Sequence, residues 1–251
     1  MTKTTVRQPS SRSTTAPWLG YLDGTALLAW GILLLKLWWM EQLPILIHPN
    51  YVPLVIGSAF LLLIIGGLAL ARSYYTSKGR GAWHWGSAIL LCTALISLAV
   101  NPRAFASDKA IHRGVDDMSA ISARTAPASF RASNRPEQRT LLEWVRTIAA
   151  YPEPDAYTGQ RAKVTGFVVR SPDLPSHVFL LTRFVITCCG ADVYPVSLPV
   201  RVQTMPDNLR PDQWLEVEGV MFTLENKNQR QLAIDAQKLT PIPEPQNPYA
   251  S

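Results

Sequence analysis

The chain has 251 residues, 47% of them hydrophobic, and carries 24 lysines and arginines against 18 aspartates and glutamates. The excess of bases sits in the apolar first part: residues 1–100 hold Lys3, Arg7, Arg12, Lys36, Arg72, Lys78 and Arg80 against Asp23 and Glu41, and residues 101–251 are nearly neutral. No basic patch with interleaved aromatics accompanies those charges, which argues against nucleic acid as a partner and for bases that flank membrane segments.

Residues 1–18 are rich in Ser and Thr and lack periodicity, the composition of a flexible tail. A transmembrane region is expected over 19–101, with helices at about 21–40, 52–71 and 84–100. The second run, VPLVIGSAFLLLIIGGLALA, contains no charge and has the length of the hydrocarbon layer. Lys36 interrupts the first run beside Trp38 and Trp39, where its amine can reach the interface. Gly57, Gly66 and Gly67 would allow close helix packing in the second run, and Cys92 reads as a small apolar residue of the third. The tail and the loop after the second helix are basic, whereas the loop after the first, residues 41–51, has no base. The positive-inside rule then puts the N-terminus in the cytoplasm, and three crossings put the rest of the chain outside. The expected location is a plasma membrane, crossed several times, with the lipid bilayer as one partner.

Residues 102–133 read as a linker. A helix is expected over 136–150, with Pro136 at its first position, Ser133 or Asn134 as cap, and Leu141, Leu142, Val145, Ile148 and Ala149 on one face. Five strand-like segments follow, at 161–170, 178–188, 195–202, 214–222 and 231–240, with 225–230 as the tip of the last hairpin. Leu215 and Val217 alternate with Glu216 and Glu218, whose carboxylates read as a solvated strand face. The fold class is therefore a membrane α-helical region followed, over 134–251, by a helix and a small all-β, OB-like barrel.

The most specific string is Arg183-Phe184-Val185-Ile186-Thr187-Cys188-Cys189-Gly190-Ala191-Asp192. Read as one continuous strand, it sends Leu180, Phe184, Ile186 and Cys188 to the core face and Arg183, Val185, Thr187 and Cys189 to the other. Cys188 is then a packed residue, and Cys189 lies in a polar corner with Arg183 and Asp192. A base near a thiol lowers its pKa. Cys188, Cys189, Asp192 and Arg183 form the candidate thiol or metal site, with the metal unspecified; a vicinal disulfide or simple packing are the alternatives. Of the histidines His48, His84, His112 and His177, only His177 falls within the expected barrel domain. No GxxxxGK[ST], GxSxG, HExxH or GxGxxG string occurs, and nothing in the sequence supports an enzyme.

Several strings together resemble a known family: Ala110-Ile111-His112-Arg113-Gly114, Tyr157-Thr158-Gly159-Gln160, Gly166-Phe167-Val168, the cysteine string, residues 214–219 and Pro248-Tyr249. In this order, behind hydrophobic helices, they are similar to the YcgQ-like family of bacterial membrane proteins, proposed subunits of two-component permease complexes with an uncharacterised C-terminal domain. The resemblance implies an accessory subunit whose extracytoplasmic domain binds or gates a multi-spanning membrane permease. It supplies no catalytic residue and no cofactor. The residues themselves leave a second function open, a membrane-tethered thiol- or metal-binding protein built on the vicinal cysteines.

Overall fold

The computed structural model describes residues 19–76, 85–102, 106–112, 135–172, 174–206, 208–226 and 229–250. The expected tail, most of the expected linker, the cap candidates Ser133 and Asn134, and the hairpin tip at 227–228 lie outside the described residues. The chain divides into two compact units, Met1–Leu43 with Asn50–Asn101, and Pro44–Pro49 with Pro102–Ser251.

The first unit contains α1 (Leu19–Trp39), α3 (Val52–Thr76) and α4 (Trp85–Ala99); the short α2 (Leu43–Leu46) lies between α1 and α3 in sequence. Apolar stretches of 19 residues in Tyr21–Trp39 and 27 in Pro49–Tyr75 are long enough to cross a membrane. The third expected span forms as a helix of 15 residues. At 1.5 Å per residue it reaches about 22 Å, short of the ~30 Å hydrocarbon layer. Two helices, rather than the three expected, thus meet the length of a span among the described residues.

Small residues set the contact between α1 and α3. A Cβ on Gly24 would stand 2.7 Å from Leu70, one on Gly31 2.8 Å from Leu63, and one on Gly66 3.0 Å from the Gly24 carbonyl oxygen. Gly57 and Gly67, expected to serve the same purpose, face open space. Lys36 donates to the Leu98 carbonyl at 2.6 Å, at the end of α4, where the unpaired carbonyls of a helix attract a cation.

In the second unit, α5 (Ser107–His112) and α6 (Leu141–Ala150) precede strands β1 (Arg161–Val169), β2 (Val178–Val185), β3 (Tyr194–Arg201), β4 (Trp214–Asn226) and β5 (Gln229–Pro241). The sheet order is β1-β4-β5-β3-β2, and β1 also pairs with β2, which closes a five-stranded barrel of OB-like connectivity. A sixth strand, β6 (Tyr249–Ala250), runs parallel to the end of β2. Two glycines permit the tight places. A Cβ at Gly166 would stand 2.7 Å from the Thr182 carbonyl oxygen, where β1 turns from β4 to β2. One at Gly219 would collide with the Asp235 carbonyl oxygen, at the bulge where β4 shifts register against β5.

The expected helix over 136–150 is divided. Pro136–Gln138 forms a single 3-10 turn, and α6 starts afresh at Leu141. The true cap is Thr140: its hydroxyl accepts from the Glu143 N–H at 3.2 Å, and the Glu143 carboxylate accepts from the Thr140 N–H at 2.8 Å. This reciprocal capping box restarts the helix. The apolar face of α6, Leu141, Leu142, Trp144, Val145 and Ile148, joins the barrel interior with Phe179, Leu181, Val196, Leu198, Val217 and Ile234. Trp144 also meets the Tyr157 ring edge-on at 6.2 Å.

β2 is apolar on both faces. Phe179, Leu181 and Val185 belong to the barrel interior. Leu180, Phe184 and Ile186, the residues expected to point inward, instead form a second cluster with Ala110, Phe167, Val169, Val193, Trp214 and Tyr249. The expected inward face is therefore the outer one, buried by a different set of neighbours.

If α6 is part of the barrel core, Trp144→Ala should lower the unfolding free energy by about 3–5 kcal/mol. Thr140→Ala should cost only about 1 kcal/mol, the value of a helix cap. Denaturant unfolding of the full chain in mild detergent, followed by the far-ultraviolet β signal, checks both; equal small losses would detach the helix from the core.

Candidate functional site

β2 ends at Val185, opposite Tyr194, the first residue of β3. Residues 186–193 therefore form the connection between the two strands. Its feet, Ile186 and Val193, are buried in the second apolar cluster. Its crest is folded by one carboxylate. Asp192 accepts from the N–H of Cys188 at 2.8 Å, of Cys189 at 3.3 Å and of Thr187 at 3.4 Å. Three successive amides converging on an anion form a nest, which replaces the strand ladder these residues have left.

The pleat alternation stops where the strand stops, and this reverses the expected roles of the cysteines. Cys188 is exposed rather than packed, and Cys189 is half-buried rather than the more accessible of the two. Their sulfurs are 3.6 Å apart. A disulfide would bring them to about 2.05 Å, so both are free thiols. Cys188 Sγ, Cys189 Sγ and an Asp192 oxygen all lie within 4.8 Å of one another, a grouping able to hold a metal ion.

Arg183 is placed elsewhere. Its guanidinium donates to the carbonyls of Asn247 at 3.0 Å and Tyr249 at 2.9 Å, and lies 5.6 Å from the Trp214 ring centroid. Burial pulls its pKa below the usual arginine value. It ties down the C-terminal strand, and the groups that act on Cys188 are Cys189 and Asp192. The thiol pKa consequently moves the opposite way from the expectation. The hydrogen bond with Cys189, then that with Asp192, burial and the Asp192 charge push Cys188 up to about 11. Burial alone would raise Asp192, yet hydrogen bonds from Cys188, Thr187 and Cys189 hold its carboxyl below the usual carboxylate range.

A second segment holds the crest. Ile47 pairs with Cys189 in an antiparallel bridge. The His48 N–H donates to the Cys188 carbonyl at 3.1 Å, and the Gly190 N–H donates to the Leu46 carbonyl at 2.8 Å. The Tyr249 hydroxyl donates to the Ile45 carbonyl at 2.7 Å. These contacts lie within one compact unit, because Pro44–Pro49 groups with the barrel. The sequence gives no local sign of this segment, which stands between two apolar runs. His177, the histidine expected in the domain, lies on the exposed turn before β2. Glu216 and Glu218 are the expected surface pair, both within 3.1 Å of the Lys163 amine.

A DUF1980 C-terminal domain, of an uncharacterised family, is found at residues 135–250. It contains the barrel, α6 and the cysteine loop, but not Pro44–Pro49. No curated protein matches the chain. Among solved structures, the chain is similar to a DUF3299 family protein from Pseudomonas aeruginosa PAO1, at 17% identity and a TM-score of 0.26, over 49% of this chain and 93% of that one.

Thiolate, not thiol, reacts with maleimide. With its pKa near 11, Cys188 should alkylate slowly at pH 7 despite its exposure, and the rate should climb about tenfold per pH unit until the pH approaches that value. Stopped-time labelling with fragment mass mapping reads the profile; a plateau below pH 9 would contradict the assigned surroundings of the thiol.

Proposed function

We propose that the chain is a membrane-anchored protein that binds a thiophilic metal ion at the β2–β3 loop through Cys188 and Cys189. The observation that carries this reading is the separation of the two sulfurs. Two thiolates each about 2.3 Å from a tetrahedral zinc lie about 3.8 Å apart. The sulfurs here are 3.6 Å apart before any metal is considered. Soft donors of this kind suit Zn(II) or Cu(I) and disfavour Mg(II) or Ca(II). Asp192 has two roles, to fold the loop and to contribute negative charge beside the ion. Its three amide contacts fix it where an oxygen stands close to both sulfurs.

Metal analysis of the full chain in mild detergent, after loading with Zn(II) and removal of excess, tests the reading. About one ion per chain is expected, and the double variant Cys188→Ser/Cys189→Ser should bind none. Because both residues lie on the loop crest, the metal-free variant should unfold at nearly the wild-type temperature. Equal metal content in the two proteins would end the proposal.

The permease-subunit reading, which rests on the resemblance to the YcgQ-like family, is favoured by one further observation. The two stretches long enough to span a membrane carry few ionisable residues: Asp23 and Lys36 in the first, Arg72 in the second. A path for an ion normally needs polar groups along it. A metal bound by this chain would therefore cross the bilayer through another, multi-spanning protein, to which this one is accessory. Co-purification in mild detergent tests for that partner. The proposed orientation is tested separately by reporters: one fused after Ser251 should report outside the cytoplasm, and one fused at Ser77 inside. Both reporters on the same side would remove the three-crossing topology.

A further inference from the structure

The cysteine loop is one ligand short of a closed site. Structural zinc takes four protein ligands. The loop offers two sulfurs and a carboxylate, and both oxygens of that carboxylate already accept backbone N–H groups. A further strong donor has to come from a different part of the chain. The Ile47–Cys189 bridge brings one candidate beside the loop. Its two flanking hydrogen bonds, His48 N–H to Cys188 and Gly190 N–H to Leu46, set the register, so that His48 stands opposite Cys188. The hydrogen bond from the His48 N–H to the Cys188 carbonyl, at 3.1 Å, brings the two backbones into direct contact. A cysteine and a histidine so placed can share one ion, with Zn–S near 2.3 Å and Zn–N near 2.0–2.1 Å.

We infer that His48 is the third strong ligand of the metal bound by Cys188 and Cys189, with Asp192 or water in the fourth position. The inference rests on the metal-binding reading above and adds to it a residue from outside the DUF1980 C-terminal domain. Ligand and loop are held together independently of the ion, by the bridge and by the Tyr249 hydroxyl on the Ile45 carbonyl. The ion then acts as a clip. It ties Pro44–Pro49, the segment between the first two long helices in sequence, to the loop between β2 and β3.

Co(II) is the probe, added to the full chain in mild detergent. It reports thiolate ligation by a sulfur-to-cobalt charge-transfer band and four-coordination by its visible d–d bands. Wild type should take about one ion with both signals. His48→Ala should keep the charge-transfer band but bind at least about tenfold more weakly, with altered d–d bands, as expected for loss of one coordinating group. His48→Cys should strengthen the charge-transfer band, since a third sulfur would replace the imidazole. Metal-free thermal unfolding controls for the fold; if His48→Ala is unfolded, His48→Cys decides alone. A wild type without a charge-transfer band overturns both readings. A wild type with the band, alongside His48→Ala of the same affinity and spectrum and His48→Cys with no added band, overturns the role of His48 and leaves the cysteine site standing.

Discussion

β1 hydrogen-bonds on both edges, to β4 through residues 161–167 and to β2 through residues 167–169. The tightest approach falls at Gly166, where a Cβ would stand 2.7 Å from the Thr182 carbonyl oxygen. That closure draws β2 into the barrel wall along one edge, while β3 holds its other edge through residues 178–185. β2 is then fixed at both faces as well. The barrel interior takes Phe179, Leu181 and Val185, and the outer cluster takes Leu180, Phe184 and Ile186. A strand gripped in this way presents its terminal loop on a rigid base. The cysteines inherit that rigidity: Ile186 and Val193 anchor the loop in the outer cluster, and only its crest emerges.

The same double burial explains what could not be read from the sequence. Half-buried β4 betrays its faces by alternation, and Glu216 and Glu218 do sit on the solvated side beside Lys163. The string VFLLTRFVI has no polar face to alternate with, so periodicity locates β2 without saying which residues point inward. The inner and outer faces of β2 are consequently the reverse of the expectation, and so is the exposure of the two cysteines. The strand also stops before Cys188, because Cys-Cys-Gly-Ala-Asp is a turn-forming string in which the aspartate captures the amides before it. Arg183 would lie on the same face as Cys189, near the thiols, in a continuous strand. Its true partners, the carbonyls at Asn247 and Tyr249, are some 64 to 66 positions away, and no local pattern announces them.

Local signals succeeded where the interaction itself is local. Thr140-Leu141-Leu142-Glu143 is a capping-box string, and the structure uses it as one. Pro136 attracted the helix start because proline favours a first turn, but that turn closes as a 3-10 unit and stops. The five strand segments were legible because each is a short β-rich run between turn residues, and their lengths differ from the expectation chiefly where β4 and β5 continue into a long hairpin. The contribution of His48 is of the opposite kind. The hydroxyl that helps to hold its segment lies 204 residues from its acceptor. A contact of that span is decided by the closure of the barrel and the placement of Tyr249, and it has no signature in the residues around it.

One carboxylate sets the electrostatics of the cysteine loop. Asp192 remains ionised because three amides and the Cys188 thiol donate to it. Its charge and its hydrogen bond, together with Cys189, in turn keep Cys188 protonated to a pH near 11. In the metal-binding reading proposed above, a cation would replace the proton on sulfur and be attracted by the same carboxylate that retains that proton. Metal binding at such a site releases protons, and its affinity falls as pH falls. At neutral pH the Cys188 thiol is protonated, which slows its oxidation, since that requires thiolate. One carboxylate, fixed by backbone amides, thus folds the loop and keeps the Cys188 thiol protonated, and in the proposed reading it would also draw in the metal.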